Sequence, residues 1–334
     1  VPPRRKADVS RFPVTRMRRL RRTPALRRAF QEVRIDPAAL VLPVFVKAGL
    51  TSAQPIASMP GVLQHTPASV TDLAREAAAV GVGGVILFGI PEHKDAAGSS
   101  GWDPDGPVPT AARAIRDALD DQLVLWADVC QCEYTDHGHC GPIDASGIVL
   151  NDEAVEGYVR DAVAYAEAGV DLVAPSGMMD GQVTALRSGL DAAGYLDTGI
   201  VSYAVKYASA FYGPFRDAAE STMSMGDRAS HQMDPGNRRE AHRELALDVA
   251  EGADALMVKP ALPYLDVLAD ARELHPLPLA AYQVSGEYAM LQAAAERGWI
   301  DGPQAQREAV LSILRAGADL VLTYAAIELA REAS

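Results

Sequence analysis

Residues 237–259 read Asn-Arg-Arg-Glu-Ala-His-Arg-Glu-Leu-Ala-Leu-Asp-Val-Ala-Glu-Gly-Ala-Asp-Ala-Leu-Met-Val-Lys. Apolar residues recur at helical spacing among charges in the first part, which predicts a helix over Asn237–Glu251. The break Glu251-Gly-Ala-Asp254 ends it, because glycine takes the left-handed conformation that closes a helix without a Cβ clash. An unbroken apolar run follows at once and stops on Lys259. A run without alternation fits a strand buried on both faces, as in a parallel sheet covered by helices.

The same order recurs at Ala168-Gly-Val-Asp171 and Ala316-Gly-Ala-Asp319. Outward from these, eight strands are predicted: Leu40–Val46, Gly84–Phe88, Leu123–Val129, Asp171–Pro175, Gly199–Lys206, Ala255–Lys259, Leu277–Gln283 and Asp319–Tyr324. The helices predicted between them are Ser69–Val80, Thr110–Asp120, Asp152–Ala168, Gly181–Ala193, Asn237–Glu251, Leu262–Leu274, Glu287–Arg297 and Pro303–Ala316. Alternation of helices with eight strands favours a closed α/β barrel, the TIM or (β/α)8 type, over an open sheet. No Gly-x-Gly-x-x-Gly follows the first strand, which argues against a dinucleotide-binding domain. The expected organisation is a basic N-terminal arm over 1–34 and one barrel domain over 35–334.

The chain has 334 residues, 49% of them hydrophobic, enough for a large core. No apolar run reaches the roughly 18 residues of a membrane span. No apolar segment follows the basic start Val1–Lys6, so the expectation is no secretory signal and a cytoplasmic protein. The net charge of −13 conceals an asymmetry: twelve basic and two acidic residues make 1–34 about +10, leaving about −23 on the rest. A basic arm on an acidic body fits nucleic acid or an acidic surface of a neighbouring subunit. The arm has only Phe12 and Phe30 among its twelve basic residues and carries Pro13 and Pro24, which favours the subunit.

The densest chemistry is Asp128-Val-Cys-Gln-Cys-Glu-Tyr-Thr-Asp-His-Gly-His-Cys-Gly141, directly after the third strand. Barrel enzymes keep their active sites on that strand-to-helix side. Cys130, Cys132 and Cys140 are the chain's three cysteines. Three clustered thiols do not describe a disulfide framework; they suit zinc with a fourth position open for water or substrate. The alternatives are buried apolar thiols, or a closed structural site with His137 or His139 as fourth ligand. Asp128, Cys130 and Cys132 share parity, so an extended chain would put them on one face.

Lys206 ends the fifth strand and Lys259 the sixth, each after an apolar run where a buried ammonium is costly. At matching heights on strands about 5 Å apart, each would depress the other's pKa, giving a free amine able to form a Schiff base. The alternative is that each snorkels to the rim. Between them, Phe211-Tyr-Gly-Pro-Phe-Arg216 and Arg228-x3-Gln232 form a long loop of the lid type. Its arginines suit a carboxylate clamp or a solvated surface equally well.

Six segments, DVCQCEYTDHGHCG (128–141), APSGMMDG (174–181), VSYAVKYASAFYGPFRDA (201–218), MDPGNRREA (233–241), GADALMVKPALPYLDV (252–267) and YQVSGEYAM (282–290), resemble the porphobilinogen synthase (5-aminolevulinate dehydratase) family. The likeness runs from RMRRLRRTPALRR (16–28) to the last strand. It implies that two molecules of 5-aminolevulinate condense to porphobilinogen, an early step of tetrapyrrole and heme synthesis. Lys259 would hold the first substrate on the P side as a Schiff base, and Lys206 the second on the A side. Ser285 and Tyr324 would bind the P-side carboxylate; Arg216, Arg228 and Gln232 the A-side one. Asp128 and Ser176 would line the reacting centre, with Tyr203, Phe211 and Tyr212 completing the pocket. Cys130, Cys132 and Cys140 would hold a catalytic zinc, and Glu244 matches a glutamate that some members use for an allosteric magnesium. Such enzymes are typically homo-octamers whose arms wrap neighbours, with no nucleic-acid or membrane partner. The rival readings are a Schiff-base aldolase on the same barrel, which needs one lysine and no thiols, and a non-catalytic zinc protein.

Overall fold

The computed structural model describes residues 11–224 and 226–333; residues 1–10 of the basic arm, and so that part of the predicted arm, lie outside the described residues. The chain divides into two units that meet between Arg34 and Ile35. In the first, Met17–Arg21 forms a 3-10 turn and Pro24–Ala29 a short helix, whose Thr23 side chain accepts the Leu26 N–H at 3.2 Å.

The second unit is a closed barrel. Its parallel strands are β1 Leu40–Lys47, β2 Gly84–Ile90, β3 Val124–Val129, β4 Leu172–Pro175, β5 Gly199–Lys206, β6 Ala255–Lys259, β7 Leu279–Tyr282 and β8 Leu320–Leu322. Each pairs with the next, and β8 returns to β1 through Leu40↔Val321 and Val41↔Leu322. Every residue of β2 and β6 is buried, which is why those strands read as continuous apolar runs. A small hairpin, Gln54–Pro55 with Leu63–His65, hangs off β1.

The predicted strands all form, and the helices differ in instructive ways. The helices at Pro67 and Pro107 begin earlier than expected, because a proline that reads as a turn signal is well placed in a helix's first turn, where its missing N–H costs nothing. The two helices expected between β7 and β8 form as Ser285–Glu296 and Gly302–Ala316. The helix after β8 is Ala326–Ala333, which sequence reading left out. A short helix, Gly213–Ala218, forms inside the loop after β5.

The glycine breaks do the work assigned to them: Gly169, Gly252 and Gly317 have φ of 91°, 100° and 124°. The aspartate two residues on has a second task. Asp171 Oδ2 accepts the Leu125 N–H at 2.8 Å, Asp254 Oδ2 the Ile200 N–H at 2.7 Å, and Asp319 Oδ2 the Leu279 N–H at 2.8 Å. Each therefore ties the start of its own strand to the start of the strand before it. Arg116 pairs with Asp171 at 2.7 Å, and Arg272 pairs with Asp319.

Candidate active site

Lys206 and Lys259 are register partners on β5 and β6, so the matching heights expected from sequence are realised. Both side chains are buried. The Tyr203 ring lies beside both amines, 5.7 Å from Lys206 Nζ and 5.0 Å from Lys259 Nζ. Lys259 Nζ also lies 4.3 Å from the Tyr282 ring, 5.2 Å from Phe215 and 5.4 Å from Tyr212. Burial and the charge of Lys206 push the Lys259 pKa down to about 7, against the pull of Asp128. A good fraction of Lys259 is therefore neutral amine near neutral pH. Lys206 Nζ donates to the Ser176 carbonyl at the end of β4.

Asp128 ends near both amines on β3 and accepts the Ser176 hydroxyl at 2.8 Å. Burial pushes its carboxyl up, while Lys259 and Lys206 pull it down. The predicted parity of Asp128, Cys130 and Cys132 does not extend past Val129. The Gln131 carbonyl accepts the Tyr134 and Thr135 amides at 2.9 and 2.8 Å, which turns the chain. Further bonds return the loop: Tyr158 donates to the Cys140 carbonyl, Thr135 to the His139 carbonyl at 2.8 Å, and Arg228 to the Gly138 carbonyl at 2.8 Å. Gly138 takes φ 74°, which a side chain would disfavour.

That path brings the Sγ atoms of Cys130, Cys132 and Cys140 within 4.8 Å of one another, all buried and none in a disulfide. Three thiols at that spacing fit a soft tetrahedral ion with one position left open. The triad is the metal-competent cluster found among the described residues, and neither His137 nor His139 belongs to it, so the four-ligand structural alternative lacks support. Glu133 accepts from the Cys132 thiol at 3.2 Å. Burial, and then Asp128, push its carboxyl up to about 7.

Asp128, Cys132, Glu133, Ser176, Lys206, Tyr212, Phe215, Arg228 and Lys259 surround a cavity of about 10 Å³. The space is small because the helix Gly213–Ala218 drops Phe215 into the mouth, where its ring meets Phe88 at 5.1 Å and Phe45 at 5.5 Å. Ser285 is engaged with this lid: its Oγ accepts the Phe215 N–H at 2.9 Å and donates to the Phe211 carbonyl at 3.3 Å. Tyr324 and Tyr282 share a hydroxyl hydrogen bond of 3.0 Å, and Tyr212 donates to the Tyr207 carbonyl at 2.8 Å.

The remaining predicted residues are not all drawn to that cavity. Arg228 is in its wall, whereas half-buried Arg216 is not. Gln232 is buried with both side-chain polar atoms unpaired and lines a separate groove of about 650 Å³. Glu244 lies in the same groove with Asp180, Glu240, Asp248 and Glu251. Burial, Glu240 and Asp180 push its carboxyl up, yet no three-donor cluster forms around it among the described residues. Sequence reasoning passed over Phe45, Phe88, Phe215, Tyr282 and Glu133. Phe215, Tyr282 and Glu133 stand inside the quoted motifs; Phe45 and Phe88 are strand residues that nothing in their pattern separates from core.

Fold and site together define a (β/α)8-barrel enzyme with two facing amines and a thiol triad at the mouth where its strands end. The family model for Delta-aminolevulinic acid dehydratase matches residues 14–332. The Delta-aminolevulinic acid dehydratase of Mycobacterium tuberculosis is 55% identical over 325 residues, covering 97% of this chain and 98% of that protein. That of Streptomyces coelicolor is 52% identical over 322 residues, covering 96% and 97%. Among solved structures, the Toxoplasma gondii enzyme in complex with the reaction product porphobilinogen superposes with a TM-score of 0.92 at 45% identity, covering 95% of this chain and 91% of that one. The chain belongs to the delta-aminolevulinic acid dehydratase (porphobilinogen synthase) family, and its activity is that family's hydro-lyase reaction.

Proposed function

We propose that two molecules of 5-aminolevulinate are joined to porphobilinogen while each is held as a Schiff base, the P-side one on Lys259 and the A-side one on Lys206. The observation that carries this reading is the register pairing of the two lysines under burial. The neutral Lys259 amine attacks a substrate ketone, forming a C–N bond; the ketone oxygen leaves as water and an iminium remains. The same exchange on Lys206 accounts for the second water. Each iminium acidifies its neighbouring carbon. Carbon–carbon bond formation and attack by one substrate amine then close the ring, one lysine leaving by displacement and the other by elimination.

Asp128 and Ser176, hydrogen-bonded at 2.8 Å beside both amines, are placed to move protons at the carbinolamine oxygens. Arg216, Arg228 and Gln232 would hold the A-side carboxylate, and Ser285 with Tyr324 the P-side one. Tyr203, Tyr212 and Phe211 would shape the pocket. Because the closed cavity is smaller than one substrate, the Phe215 helix must lift for entry, which also frees Ser285 from Phe215 and Phe211. Cys130, Cys132 and Cys140 would hold zinc, which supplies Lewis-acid polarisation at the A-side substrate. Glu244 is the residue we assign to an accessory magnesium.

The arm 1–34 would wrap a neighbouring subunit of a homo-octamer; the charge contrast between arm and body, and exposed Phe12, Val14, Met17 and Leu20 on the arm, support that assignment. We place the enzyme in the cytoplasm; no described helix is long and apolar enough to cross a membrane. The reading is tested by incubating the protein with 5-aminolevulinate and assaying porphobilinogen before and after chelation. Pyrrole formation that stops on chelation and returns with zinc is expected; undiminished formation in fully chelated protein contradicts the zinc assignment.

A further inference from the structure

Three consecutive residues open the helix after β7, and each holds a different neighbour. Ser285 bonds the lid at Phe215 and Phe211. Gly286 packs so tightly on Phe211 that an added Cβ would lie 2.5 Å from its carbonyl oxygen. Glu287, fully buried, turns its carboxylate the other way. Oε2 accepts the Val284 N–H at 2.6 Å, and Oε1 accepts the Leu262 N–H at 2.6 Å.

The two bonds differ in kind. Reaching back to Val284 satisfies an orphan amide at the helix start, as a third-position glutamate commonly does. The bond to Leu262 does nothing for that helix. It crosses to the turn after β6, three residues beyond Lys259, where the Ala261 N–H is already bonded to the Tyr282 carbonyl at 2.9 Å. Burial pushes the Glu287 carboxyl up to about 7 against the pull of its amide donors, which belong to the two segments that carry Lys259 and Ser285. The amine proposed to bind the P-side ketone and the hydroxyl proposed to bind its carboxylate are thus joined through one side chain.

We propose that Glu287 is a positioning residue for Lys259, its carboxylate clamping the Leu262 and Val284 amides so that the Lys259 amine and Ser285 keep a fixed separation. The inference rests on the reading of Lys259 as a substrate-bearing amine. Glu287 itself touches no substrate; it acts through the backbone beyond β6.

Glu287→Gln keeps the side chain's size but turns an NH2 toward one of the two amide donors. The test measures the rate of borohydride-trapped 5-aminolevulinate adduct at Lys259 and at Lys206 in zinc-loaded wild type and variant, together with zinc content and thermal unfolding. The Lys259 adduct is expected to slow about 10–100-fold, the size of effect a misplaced reacting group produces, with the Lys206 rate and zinc content unchanged. Glu287→Asp, which keeps the charge but reaches one methylene less far, is expected to recover part of the Lys259 rate. A wild-type Lys259 rate in folded Glu287→Gln overturns the proposal, as does equal slowing at both lysines with a lowered melting temperature. Should Glu287→Gln not fold, the ratio of the two adduct rates in Glu287→Asp decides by the same criteria. Absence of any Lys259 adduct in the wild type overturns the Schiff-base reading, and this inference with it.

Discussion

Where the barrel strands begin, Asp171, Asp254 and Asp319 each accept the backbone amide of a neighbouring strand, and two of them also meet arginines. Where the strands finish, Lys206 faces Lys259, and burial together with the charge of Asp128 pushes the Glu133 carboxyl up. Opposite charges with hydrogen-bond partners at one end serve the fold. Like charges at the other end disfavour the ionised forms of Lys259 and Glu133 and keep reactive protonation states available. The contrast agrees with the general division of barrels into a stabilising face and a catalytic face.

Four substitutions or treatments sharpen the contrast. Lys259→Met at the mouth is expected to lower porphobilinogen formation by about 10⁴-fold or more, since the covalent step is lost. Because a buried ammonium is removed, its thermal unfolding midpoint should stay level or rise; a large fall would show that the mouth also holds the fold. Zinc chelation should cost about 10²–10³-fold in the pyrrole assay while leaving the Lys259 adduct intact. Arg228→Lys should raise KM about tenfold with a smaller change in kcat, because lysine keeps the charge but not the two-pronged donor geometry. The smallest effect belongs to the other end. Asp254→Ala should lose about 1–2 kcal/mol in denaturant titrations through the orphaned Ile200 amide, with kcat unchanged. A changed kcat there would break the division.

Legibility in the sequence followed the same line between regular and irregular structure. The strands β5 and β6 were bounded to the residue, because burial on both faces makes them apolar runs and a lysine marks each end. The pairing of those lysines needed only strand geometry. The thiol loop was recognisable by composition, but its path was not: the parity argument failed where Gln131 turns the chain, and Cys140 is returned by bonds from Tyr158 and Arg228, far away in sequence. The lid was read as a long loop, yet nothing in its spacing indicated that Phe215 would fill the mouth or that Gln232 would line another groove. The helix Ala326–Ala333 escaped because eight residues after a short strand carry too little periodic signal.

Both strand-end lysines carry substrate in the proposed reaction. Borohydride trapping with 5-aminolevulinate, followed by intact mass and peptide mapping of zinc-loaded protein, tests this most directly. Adducts on Lys259 and on Lys206 are expected. The Lys259 adduct should be scarce where its ammonium persists and should rise as pH passes through about 7, where the free amine takes over. Folded, zinc-loaded protein with no adduct on either lysine would contradict it.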